Sequence, residues 1–345
     1  MPRKSKQWRQ PPSKSSVAAK DKTVALQPTV PDTVPKDPGT KDAKGPGDMG
    51  PNTAKNGLRG LVNLGNTCYM NSVIQCLSNL GQVRNLFLEQ AHCGDLNRPS
   101  ETWGEVAVAF SAVLRALWEE CQDQQPLRPS EMQRVVHCRD PRYRNTRPHD
   151  AHEFYVQLMD WLDQDIQSDG ISFVTETFHG QWQTNINCTA CGYVSVSDQT
   201  FMGFQVELPD GDDRCSLRDR LSQLFAPEPV PGFICAACGD NSHCQKKMSL
   251  VRLPPVLSVL LLRFHDPTGT GTGYVKKTNP VDFDIYLDSA EFVVDPHEHQ
   301  RYQLTGIVNH YGKTTGGHYK ASCFSDAERC WHEFDDGNVP KRMES

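Results

Sequence analysis

Apolar side chains recur along this chain in two rhythms, and the change from one to the other divides it. Between about residues 57 and 172 they recur at helical spacing. Met70, Val73, Ile74, Leu77 and Leu80 form one stripe. Trp103, Val106, Ala107, Phe110, Val113, Leu114, Leu117 and Trp118 form a second, and Phe154, Leu158, Trp161, Leu162 and Ile166 a third. Spacings of three and four residues put side chains on one face of an α-helix, so three amphipathic helices are predicted. From about Phe173 onward the apolar runs shorten to strand length, at 201–208, 256–264, 302–310 and 318–324. The run 256–264 is apolar almost throughout, the pattern of a strand covered on both faces. Helices first and strands afterwards predict an α+β fold.

Ahead of both rhythms lies a stretch that has neither. Residues 1–56 are crowded with Pro, Lys, Ser, Asp and Gly and poor in large apolar side chains. Such a segment buries too little surface to offset the entropy of ordering it, and disorder is expected. Its start carries Arg3, Lys4, Lys6, Arg9, Lys14, Lys20 and Lys22 against Asp21 alone, which reads as a solvated basic tail. No continuous apolar stretch follows those charges, so a secretory signal is not expected, and no later run has the length of a membrane span. The net charge of −6 over 345 residues gives no reason to expect nucleic acid as a partner. Thirteen cysteines without a secretory signal suggest a reducing compartment, cytoplasm or nucleus, and no disulfide framework. What the cysteines do is then decided by where they stand.

Cys68 follows a polar, Gly-containing turn and opens the first helical stripe. Exposed N–H groups and the helix dipole favour negative charge at such a place, which suits a reactive thiol. A thiol near pH 7 still needs a base to take its proton and a third group to hold that base in one tautomer. His318, preceded by Gly316-Gly317, fits the base; Asp335 or Asp336 fits the orienter. Acyl transfer also needs a donor aimed at the developing oxyanion, and the amide of Asn63, five residues before Cys68, is a candidate. Asn66 is expected to stabilise the turn instead, since Asn tolerates the left-handed conformation. His310 and His332 read as strand residues with satisfied nitrogens.

A second cysteine pattern is metal-like. Cys188-x-x-Cys191 and Cys235-x-x-Cys238 are two knuckles, together the four thiolates of a closed tetrahedral zinc site. The gap between them exceeds that of a compact zinc ribbon, so at least a β-hairpin is inserted. His243 and Cys244 are read as bystanders. Asp150 and Glu153, three apart and just before Phe154, have the form of a capping box. The run Gly269–Gly273 lacks the ending of a phosphate-binding loop and reads as a flexible loop.

Four strings together resemble one family. GLVNLGNTCYMNSVIQCL, from Gly60 to Leu77, is similar to the cysteine box of the ubiquitin-specific proteases, and GGHYKASC with WHEFDD to their histidine box. Asp150-Ala151-His152-Glu153-Phe154 resembles the family's Asp-Ala-x-Glu-Phe segment, and LPPVLSVLLLRF the strand before its variable loop. The resemblance runs in the right order over nearly all of residues 57–339. It implies a papain-like fingers–palm–thumb fold, with a thumb at about 57–172, zinc-binding fingers at about 173–250 and a palm at about 251–345. It implies hydrolysis of isopeptide bonds after the C-terminal Gly-Gly of ubiquitin through a thioester. It assigns Cys68 as nucleophile, His318 as base, Asp335 as orienter, Asn63 as oxyanion donor and Asp336 as a second polar support. Asp150 and Glu153 are expected opposite the basic tail of ubiquitin, and Gly317 beside the channel for its two glycines. Two departures stand out. Pro148 occupies a position where the family usually carries Gln, and after WHEFDDGNV the family continues to one more apolar strand. An exposed edge of the palm sheet beside the triad acid is therefore expected. The alternatives are a ubiquitin-binding scaffold without effective catalysis and a protease for a ubiquitin-like modifier.

Overall fold

The division by rhythm holds in three dimensions. The computed structural model describes residues 23–28, 57–89, 91–94, 96–118, 125–144, 147–168, 171–239, 241, 243–266, 274–314 and 316–344. The first half contains α1 (Cys68–Ser78), α2 (Gly81–Leu88), α3 (Glu105–Trp118), α4 (Ser130–Arg139), α5 (Ala151–Asp165) and the short α6 (Phe173–Phe178). The three predicted stripes are α1, α3 and α5. Trp103 is an exception: it precedes α3 with a φ of 58° and is 65% exposed, so it belongs to the turn and not to the stripe.

α1 is buried along its whole length, unlike a surface helix with a single apolar face. It packs against α2 and α5 and against the sheet. α3 starts on a buried carboxylate. Asp165, the last residue of α5, accepts the N–H groups of Gly104, Val106 and Ala107 at 3.0 Å each and the Ser100 hydroxyl at 2.8 Å. An anion there satisfies the unpaired donors and the dipole of a helix start, which is why a fully buried Asp is tolerated.

After α6 the strands take over. They are β2 (Gly180–Cys188), β3 (Val194–Phe201), β4 (Phe204–Glu207), then α7 (Leu217–Leu224), β5 (Cys244–Arg252), β6 (Leu257–Leu262), β7 (Arg301–Lys313), β8 (Gly316–Ser325), β9 (Cys330–Phe334) and β10 (Lys341–Arg342). One sheet runs β3-β2-β5 with Glu228–Pro229 at its edge. The larger runs β10-β9-β8-β7-β1-β6-β4, β1 being Thr23–Pro28, with Tyr286–Asp288 also on β7. As its composition predicts, β6 is buried on both faces. One face of this sheet packs with the helices into the main core, and a second core forms around α7, β4 and β6.

β1 corrects the expectation of disorder across residues 1–56. It pairs antiparallel with β6, Thr23 opposite Leu260 and Leu26 opposite Leu257, and with β7, Val24 opposite Ile307 and Pro28 opposite Tyr302. TVAL is an apolar, partly β-branched run in an otherwise polar tail, and β6 and β7 supply backbone partners on both of its sides. The rest of 1–56, and the loop Gly269–Gly273, lie outside the described residues. The sheet edge expected beside the triad acid is covered over two residues by β10, with His332 opposite Arg342 and Glu333 opposite Lys341.

Candidate active site

Cys68 is the first residue of α1, preceded by a turn in which Asn66 takes a φ of 57°, as an Asn in that role can. Thr67 locks the turn, its hydroxyl accepting the N–H of Leu64 at 2.9 Å. The expectation of a lowered thiol pKa does not hold for this state. Burial pushes the Cys68 thiol up, Asp336 adds to the rise, and backbone contacts to Tyr319 and Tyr69 oppose it without prevailing. A helix start favours a thiolate only where water or a cation is also at hand, and Cys68 is 5% exposed. Burial thus works against the thiolate here, and removal of the proton falls to a base.

The candidate base, His318, stands on β8, which packs directly against α1. Tyr319, whose backbone meets the Cys68 sulfur, is the residue after His318. His318 Nε2 lies 2.7 Å from Asp335 Oδ1 and 3.9 Å from Asp336 Oδ2, so of the two candidate acids Asp335 is the one paired with the ring, through Nε2. Among the described residues no hydrogen bond yet joins the thiol to the ring. Catalytic bonds of this kind tighten when substrate fills the site. Burial alone would raise Asp335, but bonds from His318 and Lys320 outweigh it and hold the carboxyl below its ordinary value. Lys320 Nζ lies 3.0 Å from Asp335 Oδ2 and 3.1 Å from Glu333 Oε1. On an alternating strand Lys320 shares the face of His318, a signal that was available in the sequence.

Asp336 does something else. Its Oδ2 accepts from Asn63 Nδ2 and its Oδ1 from Asn71 Nδ2, both at 2.8 Å. Asn63 in turn accepts the N–H groups of Gly65 and Thr67 through Oδ1. An amide nitrogen carries two N–H donors, so the bond to Asp336 fixes the group while one donor remains for an oxyanion. Asn71, buried on α1, also donates to the carbonyl of Leu61 at 3.0 Å. Sequence reading passed over it because it sits inside an apolar helix, where a polar side chain needs a partner invisible in local sequence. Asp336 has a φ of 47°, and its carbonyl accepts the N–H of Leu61 at 2.8 Å. Gly60 is required at this crossing: a Cβ would lie 2.6 Å from the carbonyl oxygens of Asp336 and Asn338.

The expected substrate-facing residues divide. Asp150 is 2% exposed and caps α5, its Oδ1 accepting from the N–H groups of His152 and Glu153 at 2.7 and 2.8 Å. Capping is therefore its evident work. Glu153 does not complete a capping box; it pairs with Arg142 at the surface. Gly317 packs against its own sheet, since a Cβ there would lie 2.3 Å from His310 Nε2 and from the carbonyl oxygen of Tyr311. Gly316 has open space around it. His310 is engaged by Lys276, whose Nζ lies 3.0 Å from Nδ1.

The four cysteines of the fingers meet at one point. Cys188 Sγ lies 3.7 Å from Cys238 Sγ, Cys191 Sγ lies 3.6 Å from Cys235 Sγ, and all four sulfurs fall within 4.8 Å of one another. A tetrahedral ion with metal–sulfur bonds of about 2.3 Å needs sulfur–sulfur edges of about 3.8 Å, so the set can hold one such metal. The knuckles match: Gly192 N donates to Cys188 O at 2.8 Å and Gly239 N to Cys235 O at 2.9 Å, both glycines at φ near +75°. Bonds from the backbone of Cys238 and Ala237 lower the Cys235 thiol to about 7, favouring the thiolate a metal requires. The insertion between knuckles, expected to be a β-hairpin or more, contains β3, β4 and α7.

The chain matches the ubiquitin carboxyl-terminal hydrolase family over residues 59–345. It is 30% identical over 339 residues to ubiquitin carboxyl-terminal hydrolase 2 of Homo sapiens, covering 88% of this chain and 55% of that protein. Ubiquitin carboxyl-terminal hydrolase Usp2 of Drosophila melanogaster is 29% identical over 317 residues, covering 82% of this chain and 33% of that protein. The chain thus spans about half of the length of the first of these relatives and about a third of the second. The SAGA Ubp8/Sgf11/Sus1/Sgf73 DUB module bound to ubiquitin aldehyde aligns with a TM-score of 0.74 at 22% identity, covering 86% of this chain and 68% of that one. That likeness establishes the fold, the papain-like α+β arrangement read from the four strings. With the family's match running through Cys68, His318 and Asp335, this chain belongs to the ubiquitin carboxyl-terminal hydrolase family.

Proposed function

We propose that the chain is a thiol-dependent deubiquitinase that hydrolyses isopeptide bonds after the C-terminal Gly-Gly of ubiquitin. The observation that carries this reading is His318, on the strand packed over Cys68 and paired with Asp335, with Asn63 tied to the neighbouring Asp336. In the first step Nδ1 of His318 takes the Cys68 proton as the sulfur attacks the scissile carbonyl carbon. The oxyanion receives the second amide N–H of Asn63. The imidazolium, held by Asp335, then protonates the leaving amine, and a thioester to Cys68 remains. Water, giving its proton to the same imidazole, releases the ubiquitin carboxylate and regenerates the thiol. Glu153, exposed at the start of α5, is the carboxylate best placed to meet a basic tail, while Asp150 holds the helix start that presents it. The four finger cysteines hold a structural zinc ion, which supplies folding energy and no chemistry to the reaction. A free-thiol nucleophile of this kind belongs in a reducing compartment, cytoplasm or nucleus.

The test is a ubiquitin derivative with an electrophile at its C-terminus. It is expected to form one adduct, on Cys68, that Cys68→Ser abolishes, and Cys68→Ser is expected to lower turnover of a ubiquitin conjugate by about four orders of magnitude or more. Retained ubiquitin binding without an adduct would make the chain a scaffold. Adduct formation only with a probe built on a ubiquitin-like modifier would move the substrate to that class.

A further inference from the structure

Outside the catalytic set and the fingers, three more metal-type ligands converge on one point. β9 leaves the turn at 326–329 with Cys330 and His332 two residues apart, and hence on one face of the strand. Glu328, the next-to-last residue of the turn, folds to the same side. His332 is 3% exposed, Cys330 is half-buried and Glu328 is at the surface. Glu328 Oε2 lies 3.1 Å from His332 Nε2 and 3.9 Å from Cys330 Sγ, and Cys330 Sγ lies 3.9 Å from His332 Nε2 and 4.0 Å from its Nδ1. The turn itself is fixed from Ser325, whose hydroxyl accepts the N–H of Glu328 at 3.3 Å and whose carbonyl accepts that of Arg329 at 2.8 Å.

We infer that Glu328, Cys330 and His332 form a second site for a divalent transition-metal ion of the zinc class. The triangle of donor atoms is close to the required size. A tetrahedral ion bound at about 2.0–2.3 Å to oxygen, nitrogen and sulfur has edges of about 3.4–3.6 Å, and shifts of a few tenths of an ångström bring the three atoms to that spacing. The donor set is also selective: thiolate with imidazole suits zinc-like ions, whereas magnesium and calcium take oxygen ligands alone. An ion pair between Glu328 and His332 does not by itself call for a sulfur within 4 Å of both partners. With three protein ligands the fourth position falls to water. Binding replaces the Cys330 proton, which goes to solvent, and leaves the His332 ring neutral. Three ligands hold less tightly than the four-cysteine cluster, and the ion occupies this site at higher free-metal concentration. Because β9 runs from Cys330 directly into Asp335, an ion here pins the start of the strand that delivers the triad acid.

The experiment uses the full chain, equilibrated with zinc and then with cobalt in place of zinc, beside Cys330→Ser and Glu328→Gln. Neither residue touches the catalytic groups and neither side chain is fully buried, so both variants are expected to fold. The wild type is expected to carry two ions per chain and Cys330→Ser one, with Glu328→Gln losing the second ion at lower chelator concentration than the wild type. In the cobalt form the thiolate-to-metal absorption should fall by about one-fifth in Cys330→Ser, one thiolate of five, while the four-thiolate spectrum persists. Identical metal content and identical cobalt spectra in wild type and Cys330→Ser would overturn the inference. A fingers cluster that fails to bind would show itself separately, as loss of the four-thiolate spectrum in every variant.

Discussion

The catalytic half and the fingers are stabilised by opposite means. Around Cys68 the helices and β7–β9 share a large, continuous apolar core, and the polar groups of the site are threaded through it by long-range hydrogen bonds, Asn71 to Asp336 and Asn63 to Asp336. Near the tip of the fingers, β3 is exposed along nearly its whole length, and the small cluster there is Cys188, Cys235 and Cys244 with Ile186 and Phe233 packed beside them. A two-faced, solvent-exposed sheet of this size has too little apolar burial to hold itself. The difference teaches where each region's order comes from. The groups around Cys68 are placed by apolar packing, whereas the finger tip has little of it and instead gathers four cysteines that could hold a metal.

Metal removal is the strongest way to break that contrast. A structural zinc supplies about 10–16 kcal/mol in small domains, more than any single side chain contributes. Chelation, or Cys191→Ser, is expected to abolish amide-exchange protection in β2 and β3 while α1, α5 and β8 keep theirs. Equal loss in both regions would mean that they form one cooperative unit.

A smaller effect tests the other side. Asn71→Ala takes the amide donor from the Leu61 carbonyl and from Oδ1 of Asp336, whose Oδ2 keeps Asn63, and is expected to destabilise by about 1–3 kcal/mol. Because the Asn71–Asp336 bond ties α1 to the turn that carries Asp335, kcat should fall while KM changes little. Steady-state kinetics beside thermal melts would check it, and a stability loss with unchanged kcat would reduce Asn71 to a packing role.

The smallest expected effect is with pH. Burial lowers the His152 ring on α5 to about 4, well below its ordinary value near 6.5. Above pH 6.5 the ring is neutral in both folded and unfolded chains and contributes no pH dependence. As pH falls from 6.5 toward 4 the unfolded chain takes up a proton that the folded one refuses, and stability declines across that window. Tm should drop over it by a few degrees in the wild type and by less in His152→Gln; identical slopes would show that the ring is not shielded as the structure has it.

Much of this was legible in the sequence because periodicity is local. The stripes that became α1, α3 and α5, the doubly buried β6, and the two Cys-x-x-Cys knuckles all depend on spacings within a few residues. The finger strands β2, β3 and β5 went unread because they are rich in polar residues and few of their positions are buried, so no apolar alternation marks them. β1 was missed for the opposite reason: a short apolar run in a polar tail pairs only with strands more than two hundred residues away.

The chain's chemistry and order of elements were set by sequence alone: a thiol opening a helix, a histidine between glycines and an aromatic, two adjacent acids, and four paired cysteines. Tertiary structure decided between the acids, giving Asp335 to His318 and Asp336 to Asn63 and Asn71. It also decided that burial pushes the Cys68 thiol up and that Asp150 caps a helix. Those outcomes depend on which groups are withdrawn from water and which distant segments meet. Burial and long-range contact are properties of the folded chain, and residue spacing does not encode them.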